Sequence, residues 1–462
     1  MLASVLRMDS IDVAALTGEG ATASLAPDRT LRIRGGSPLH GDVHVRGAKN
    51  TLPKNMVASL LTADECFLNN VAGVFDVEIV AQMIDALGGT VTKSGSGQLR
   101  MQTPDPHILS THEIEPFADK SRIPILVCGP LLARCGEVLV PDLGGCAIGP
   151  RPIDYHIDAL RQLGAQVLET SDGWRLTAKR LRGAKIRLEY PSVGATEQVL
   201  LASVLADGVT ELSNAAIEPE VLDLIAVLQK MGATISVETD RVITISGADH
   251  LYGFEHTALP DRLEVASWAC AALATDGHIT VQGARQLDMM TFLNTFRRIG
   301  GDFKILDDRI EFWRRRQLTS VALETDVHPG LMTDWQQPLV VALTQASGVS
   351  IVHETVYENR FGYTMALNTM GAQIQLYREC LGSRRCRFGT REHLHSAVIV
   401  GATELHGAEI EIPDLRAGFS YVIAALVAGG ESTISNMRII RRGYEAFERK
   451  LASLGAHLLD PA

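Results

Sequence analysis

The chain has 462 residues, 46% of them apolar and 21% charged, with a formal net charge of −11. That length exceeds one ordinary core and predicts two large domains, while the composition excludes extended disorder and lacks the basic stripe of a nucleic-acid surface. No uninterrupted apolar run reaches the roughly 18 residues of a spanning helix, so no membrane segment is expected.

Residues 1–28 are small and polar and read as a loose tail. The apolar run in "MLASVLRMDS" is too short for a secretory signal. The seven cysteines, Cys66, Cys128, Cys135, Cys146, Cys270, Cys380 and Cys386, are odd in number and irregularly spaced, and none forms a C-x-x-C pair. They point to reduced thiols and a cytoplasmic protein, and away from a disulfide framework or a structural zinc site.

From residue 49 onward a repeat emerges. A short signature recurs as "LGGTV" at Leu87, "LGAQV" at Leu163, "MGATI" at Met231, "IGGDF" at Ile299, "MGAQI" at Met370 and "LGAHL" at Leu454. The steps between the first glycines are 76, 68, 68, 71 and 84 residues, too regular for chance. An amphipathic helix pattern precedes each glycine, as in "IDYHIDALRQLGA" and "PEVLDLIAVLQKMGA". The glycine then caps the helix in a left-handed conformation, and a β-branched strand follows. Ahead of these lie segments apolar almost all round, such as "TEQVLLASVLADGVTEL", "RLEVASWACAALATDGHITV" and "SYVIAALVAGGESTI". They read as buried helices. The expected architecture is α/β: six units in two domains of three, with pseudo-threefold symmetry, buried helices inside and sheets outside. An open solenoid is the rival, but units near 70 residues exceed its usual period. Expected bounds are 49–256 for the first domain, and 29–48 with 257–462 for the second.

Conspicuous polar residues open the buried helices or sit just before them. In chain order they are Lys49 and Asn50 in "RGAKN", Arg122 in "DKSRIP", the stretch "YPSVGATE", Asp334 in "HPGLMTDW", Arg360 in "ENRFGY", Arg416 in "PDLRAGFS" and Arg442 in "IIRRGYE". Helix N-termini suit anions, and arginine adds bidentate donation to phosphate or carboxylate. Each charge alone has a plain reading as a cap or a solvated face. Together they predict a cleft for a polyanionic substrate. The run "LGGCAIGPRPIDYH", from Leu143 to His156, places Cys146 on a glycine loop five residues before Arg151. A thiol beside cations has a lowered pKa and can act as nucleophile or acid; an inert loop cysteine is the alternative. No P-loop, complete dinucleotide fingerprint, H-E-x-x-H or G-x-S-x-G occurs, and no cofactor or metal is expected. His393 and His395 in "REHLH" read as surface loop residues.

The motifs "GAKN", "GGCAIGPRPIDYHI", "PSVGATE", "NAAIEPEVLD", "HPGLMTD", "ETVYENRF", "DLRAG" and "RRGYE" resemble the UDP-N-acetylglucosamine enolpyruvyl transferases, relatives of the shikimate-pathway enolpyruvyl transferase. The similarity spans about Leu31 to Leu459. It implies two inside-out α/β domains and transfer of the enolpyruvyl group of phosphoenolpyruvate to a hydroxyl, with release of phosphate. The route is addition then elimination through a tetrahedral ketal, without a cofactor. By position, Cys146 matches the loop cysteine of protonation. Lys49, Asn50, Arg151, Arg416 and Arg442 match the groups around phosphoenolpyruvate, and Asp334 matches the carboxylate facing the acceptor hydroxyl. Arg122, Arg151, Pro152, Ile153, Asp154, Tyr155, Ser192, Val193 and Val356 match the uridine-nucleotide pocket. Arg360 matches a further cleft arginine.

Some positions depart from that pattern: Ile123-Pro124 after Arg122, Leu143, Met332, Gly362-Tyr363, the shifted Leu52-Pro53, and the basic stretch 380–389. Several fall where the acceptor sugar is expected. They favour a specialised acceptor, the 3′-hydroxyl of UMP as in nikkomycin and polyoxin biosynthesis, slightly over UDP-N-acetylglucosamine. Arg384, Arg385 and Arg387 would then help hold a terminal phosphate. A non-catalytic nucleotide-binding paralogue, or a scaffold using the repeats for protein contacts, is the reading from another class.

Overall fold

The computed structural model describes residues 30–95, 97–118, 121–141, 153–171, 173–383, 386–388 and 392–459. Cys146, Arg151, Pro152, Arg384 and Arg385 lie outside them.

The repeat is a structural one. Helices Phe75–Ala86, Asp154–Gln162, Pro219–Lys230, Met290–Ile299, Thr364–Thr369 and Phe447–Ser453 each run into a signature glycine. Gly88, Gly164, Gly232, Gly300, Gly371 and Gly455 all have φ between +83° and +128°. A side chain is strained there, so the glycine is a requirement of the turn. The strands that follow include Thr90–Ser94, Thr234–Val237 and Gly301–Leu306.

The helices that are apolar on every side are the interior. Arg262–Ala274 is buried at every residue, Thr333–Thr344 from Trp335 on, and Leu415–Val427 from Ala417 to Leu426. These three pack on one another. Two begin at an aspartate cap. Asp261 Oδ1 accepts from the Leu263 and Glu264 amides at 2.8 and 3.3 Å. Asp414 Oδ1 accepts from the Arg416 and Ala417 amides at 2.8 and 3.1 Å. Such caps satisfy donors that burial would otherwise orphan. Helices Leu52–Ala58, Cys128–Cys135 and Val193–Ser203 are the counterparts in the other lobe.

Six small sheets surround these helices, with four described strands each in five and three in the sixth. Strands alternate buried and exposed residues, so each sheet turns one face to the helices and one to solvent. The buried apolar residues form two clusters. One draws on residues 52–258; the other joins 31–45 to 263–454. Strand Leu31–Arg34 pairs antiparallel with Glu431–Ser435, and His40–His44 runs parallel to His278–Gln282. The chain thus starts in one lobe, builds the other and returns.

The two crossings run side by side. The Ala48 amide donates to Leu259 O at 2.7 Å, and the Asp261 amide to Arg46 O at 2.9 Å. Beside them Arg262 of one lobe grips Glu220 of the other through two bonds of 2.9 Å, with both side chains buried. A bidentate pair of this kind fixes orientation as well as distance.

Candidate active site

The polar residues at the inner helix N-termini converge. Lys49 is buried, and its Nζ donates to Asp261 Oδ2 at 2.7 Å while lying 4.6 Å from the centre of the Tyr444 ring. Burial opposes its charge, but Asp261, Tyr444 and Glu264 outweigh burial and hold the lysine pKa above its ordinary value. Lys49 and Asp261 sit on the two crossing segments, so the pair also ties the crossings together.

Asp334, in the first turn of Thr333–Thr344, is the centre of a second knot. Its Oδ1 accepts from Arg416 Nε at 2.5 Å and also from Arg360 Nη2. Burial alone would raise the carboxyl pKa. The two arginines reverse that and hold it far below the usual carboxylate range. In this state Asp334 is a counter-anion and not a base. Arg360 is 4% exposed and its Nε has no hydrogen-bond partner, so it retains unused donor capacity within reach of an incoming anion. Tyr444 links the two knots: burial raises its pKa, and Lys49, Asp261, Glu264 and Asp334 all act on it.

Arg442 departs from the expected helix-start pattern. It follows the short helix Arg438–Arg441, where the dipole end favours a cation for a different reason. It reaches the other lobe, with its carbonyl accepting from the Phe75 amide at 3.0 Å and its guanidinium 4.9 Å from the Phe75 ring. Asn50 precedes Leu52–Ala58, and its carbonyl accepts from Lys54 Nζ at 2.6 Å.

A third group gathers residues expected on the nucleotide side. Ser192 caps Val193–Ser203, its Oγ accepting from the Ala195 amide at 3.4 Å. Ile153 stands before helix Asp154–Gln162, and Asp154 Oδ1 accepts from the Tyr155 amide at 2.9 Å. Arg122 stands before the 3-10 turn Ile123–Val127. Burial and then the Arg122 charge bring the nearby His156 down to about 4, keeping it neutral at pH 7. Arg387 spans the lobes here. Its Nη2 donates to Val356 O at 2.6 Å, its guanidinium lies 4.4 Å from the Tyr190 ring, and its charge acts on Tyr155.

Glu197, Asp261, Glu354 and Tyr444 belong to this region and were missed as individual residues. Glu197 was visible as the last letter of "PSVGATE", Asp261 as a cap before an apolar helix. Glu354 Oε1 accepts from the Val356 and Tyr357 amides, both at 2.9 Å. Burial pushes Glu197 up to about 7, against the attraction of Lys54 at 3.8 Å. A carboxyl whose folded pKa lies above its unfolded value holds a proton that the unfolded chain has lost. Stability is therefore full below about pH 4 and declines as pH rises to about 7. The Glu197→Gln variant should gain melting temperature over the parent between about pH 5 and about pH 8, read by thermal scans across that range. Parallel pH profiles would contradict the buried, protonatable state.

Two expectations need correction. Tyr363 is not at an acceptor edge: it is 2% exposed, and its hydroxyl donates to Gln336 Oε1 at 3.0 Å inside the core. Pro124 is likewise buried, and Gly362 has open space where a side chain would stand. His395 is not a surface residue either. It is fully buried and lies in a cluster with His353, Cys380 and Cys386, which the expectation of no metal site did not foresee. Among the described residues no helix is long and apolar enough to cross a membrane.

The family is decided by residues 33–451, which match the family of EPSP synthase (3-phosphoshikimate 1-carboxyvinyltransferase). The chain belongs to the EPSP synthase family of enolpyruvyl transferases. Within that family it is 49% identical over 435 residues to the UDP-N-acetylglucosamine 1-carboxyvinyltransferase of Protochlamydia amoebophila (strain UWE25), covering 93% of both chains. It is 47% identical to the enzyme of that name from Chlamydia abortus (strain DSM 27085 / S26/3), covering 93% of this chain and 98% of the relative. Among solved structures, the enolpyruvyl transferase NikO from Streptomyces tendae superposes with a TM-score of 0.82 at 21% identity, covering 94% of this chain and 99% of that one. An EPSP synthase from Acinetobacter baumannii gives 0.74 at 17% identity over 93% and 99%. These structural likenesses establish the enolpyruvyl transferase fold.

Proposed function

We propose that this enolpyruvyl transferase moves the carboxyvinyl group of phosphoenolpyruvate to a hydroxyl of UDP-N-acetylglucosamine. The observation that carries the proposal is the 49% identity, over 93% of both chains, to a UDP-N-acetylglucosamine 1-carboxyvinyltransferase. The slight preference for UMP gives way to that identity; Pro124 and Tyr363 are buried in packing and Gly362 faces open space. NikO resembles the chain in fold at 21% identity. The cytoplasm is the compartment this reading assumes, in keeping with Cys66, Cys128 and Cys270 as buried, unbridged thiols.

The charge arrangement supports a definite sequence of events. Phosphoenolpyruvate brings a phosphate and a carboxylate into a site where Lys49, Arg360, Arg416 and Arg442 are proposed to meet them. As Arg416 and Arg360 turn part of their donation to that anion, Asp334 loses the contacts that depress its pKa and becomes able to accept a proton. The acceptor hydroxyl then gives its proton to Asp334 while its oxygen bonds to C2 of phosphoenolpyruvate. C3 takes a proton from an acid, the role proposed for Cys146. The tetrahedral ketal collapses as the Cys146 thiolate takes a proton back from C3 and phosphate leaves with the proton held by Asp334, giving the enol ether. No electrons are transferred to or from the protein, and the residues named suffice for every proton.

Arg416→Ala should weaken phosphoenolpyruvate binding by about 1.5–3 kcal/mol, the worth of a charge-assisted hydrogen bond. Calorimetric titration measures it, and unchanged binding would remove Arg416 from the anion site. The reaction itself is tested by mass spectrometry of UDP-N-acetylglucosamine incubated with phosphoenolpyruvate and the purified chain. A carboxyvinyl ether of the sugar nucleotide is the expected product; unreacted sugar nucleotide under conditions where the fold is intact would overturn the proposal.

A further inference from the structure

Strands Gly348–His353, Gln373–Tyr377 and Ser396–Gly401 lie side by side, with His353 and Tyr377 both opposite Ser396. The connection between the last two strands carries the basic stretch 380–389. Its ends bring Cys380 and His395 to the edge where His353 stands, and Cys386 folds back onto them. The ligand-type atoms of His353, Cys380, Cys386 and His395 all lie within 4.8 Å of one another. Cys380 Sγ is 3.5 Å from Cys386 Sγ and 3.4 Å from His395 Nε2. The sulfur separation is far beyond the roughly 2.05 Å of a disulfide.

The hydrogen bonds around the cluster fix which nitrogen of each histidine carries a proton. His395 Nδ1 lies 2.8 Å from His393 O. A carbonyl only accepts, so Nδ1 is protonated and Nε2 bears the lone pair that faces Cys380. His353 Nδ1 is 2.9 Å from Ser396 Oγ, and that hydroxyl spends its one proton on Glu379 O at 2.7 Å. His353 Nδ1 must therefore donate to Ser396, leaving a bare Nε2. That atom is fully buried and has no hydrogen-bond partner. A histidine with one ring nitrogen donating to an oxygen and the other lone pair exposed to a shared point is the arrangement that orients metal ligands.

We infer that His353, Cys380, Cys386 and His395 form a tetrahedral two-sulfur, two-nitrogen site for a zinc ion. Zinc–sulfur bonds near 2.3 Å and zinc–nitrogen bonds near 2.0–2.1 Å imply ligand–ligand edges of about 3.3–3.8 Å. The two distances of 3.5 and 3.4 Å fall in that range. Two thiolates neutralise a divalent cation, and thiolate with imidazole selects zinc over magnesium or calcium. Four protein ligands leave no open position, so the site is structural. Its spacing, Cys-x5-Cys-x8-His with a histidine 27 residues upstream, matches none of the usual short motifs. The metal would fix Cys386 and hence its neighbour Arg387, which reaches Val356 and, in the other lobe, Tyr190. Metal binding at this edge stands whichever acceptor the enzyme uses.

The test is zinc titration of the full-length chain after chelation under reducing conditions, with metal content read by elemental analysis. One zinc per chain is expected, together with a rise in melting temperature. Cobalt(II) in place of zinc should give the intense visible bands of a tetrahedral ion and a near-ultraviolet thiolate-to-cobalt band. Cys386→Ser, at a partly exposed position, should weaken zinc binding at least about 10-fold, while Cys135→Ser, whose thiol faces Pro106 O, should leave it unchanged. Failure of the folded parent chain to bind zinc, a pale octahedral cobalt spectrum, or equal binding by Cys386→Ser would each overturn the site.

Discussion

Asp334→Asn should lower turnover by about 10²–10⁴-fold, the usual worth of a positioned general base, while phosphoenolpyruvate binding is kept or strengthened. The opposite directions follow from the knot at the head of Thr333–Thr344. Asp334 pairs with both Arg416 and Arg360, and in the proposed mechanism it competes with substrate for them. Asparagine keeps the shape and loses the charge, so under the proposed mechanism it holds Arg416 and Arg360 less strongly against the anion and cannot take the hydroxyl proton. If Asp334 served only as a structural counter-ion, turnover and binding would fall together. Single-turnover kinetics with a parallel calorimetric titration of phosphoenolpyruvate separate the two cases. A variant with parental turnover would remove Asp334 as the base.

Cys146→Ala should also cost about 10²–10⁴-fold in turnover with the fold retained. In the sequence the residue belongs to the glycine-rich run "LGGCAIGP" and not to an apolar helix pattern. In the proposed route, loss of its thiol leaves protonation of C3 to water. Cys146→Asp sharpens the test: a carboxylic acid can still deliver a proton but cannot be alkylated at sulfur. The expected outcome is an Asp variant far more active than the Ala variant and resistant to thiol reagents. Circular dichroism verifies the fold in each. Parental turnover in Cys146→Ala would exclude the thiol from the reaction.

Much of this was legible in the sequence because it rests on local rules. The six signature glycines announced themselves because a left-handed turn at a helix end tolerates little else, and each of them has a positive φ. The inner helices were legible because burial on every side demands apolar residues on every side, as in Arg262–Ala274. What stayed hidden is tertiary. No pattern in "HPGLMTDW" says that Asp334 is clamped by arginines 26 and 82 residues further along. Lys49 is matched to Asp261 across 212 residues, where the two crossings run as neighbours. Tyr363 was misplaced because an aromatic with a hydroxyl fits a pocket or a core equally well, and the choice depends on Gln336 standing beside it. The cluster around His353 escaped notice because its side chains come from the end of one strand, His353, and from the connection between two others, Cys380, Cys386 and His395, which sheet pairing brings together.

The most direct test of the proposed reaction is phosphate release from phosphoenolpyruvate by the same enzyme preparation, with UDP-N-acetylglucosamine and UMP as separate acceptors. A site whose polar groups are matched to one acceptor leaves them unpaired with the other, which supports discrimination of about 10⁴ in kcat/KM. Phosphate should appear rapidly with UDP-N-acetylglucosamine and at background with UMP. Efficient release with UMP and none with UDP-N-acetylglucosamine would contradict the assignment and return the enzyme to the nucleoside acceptor.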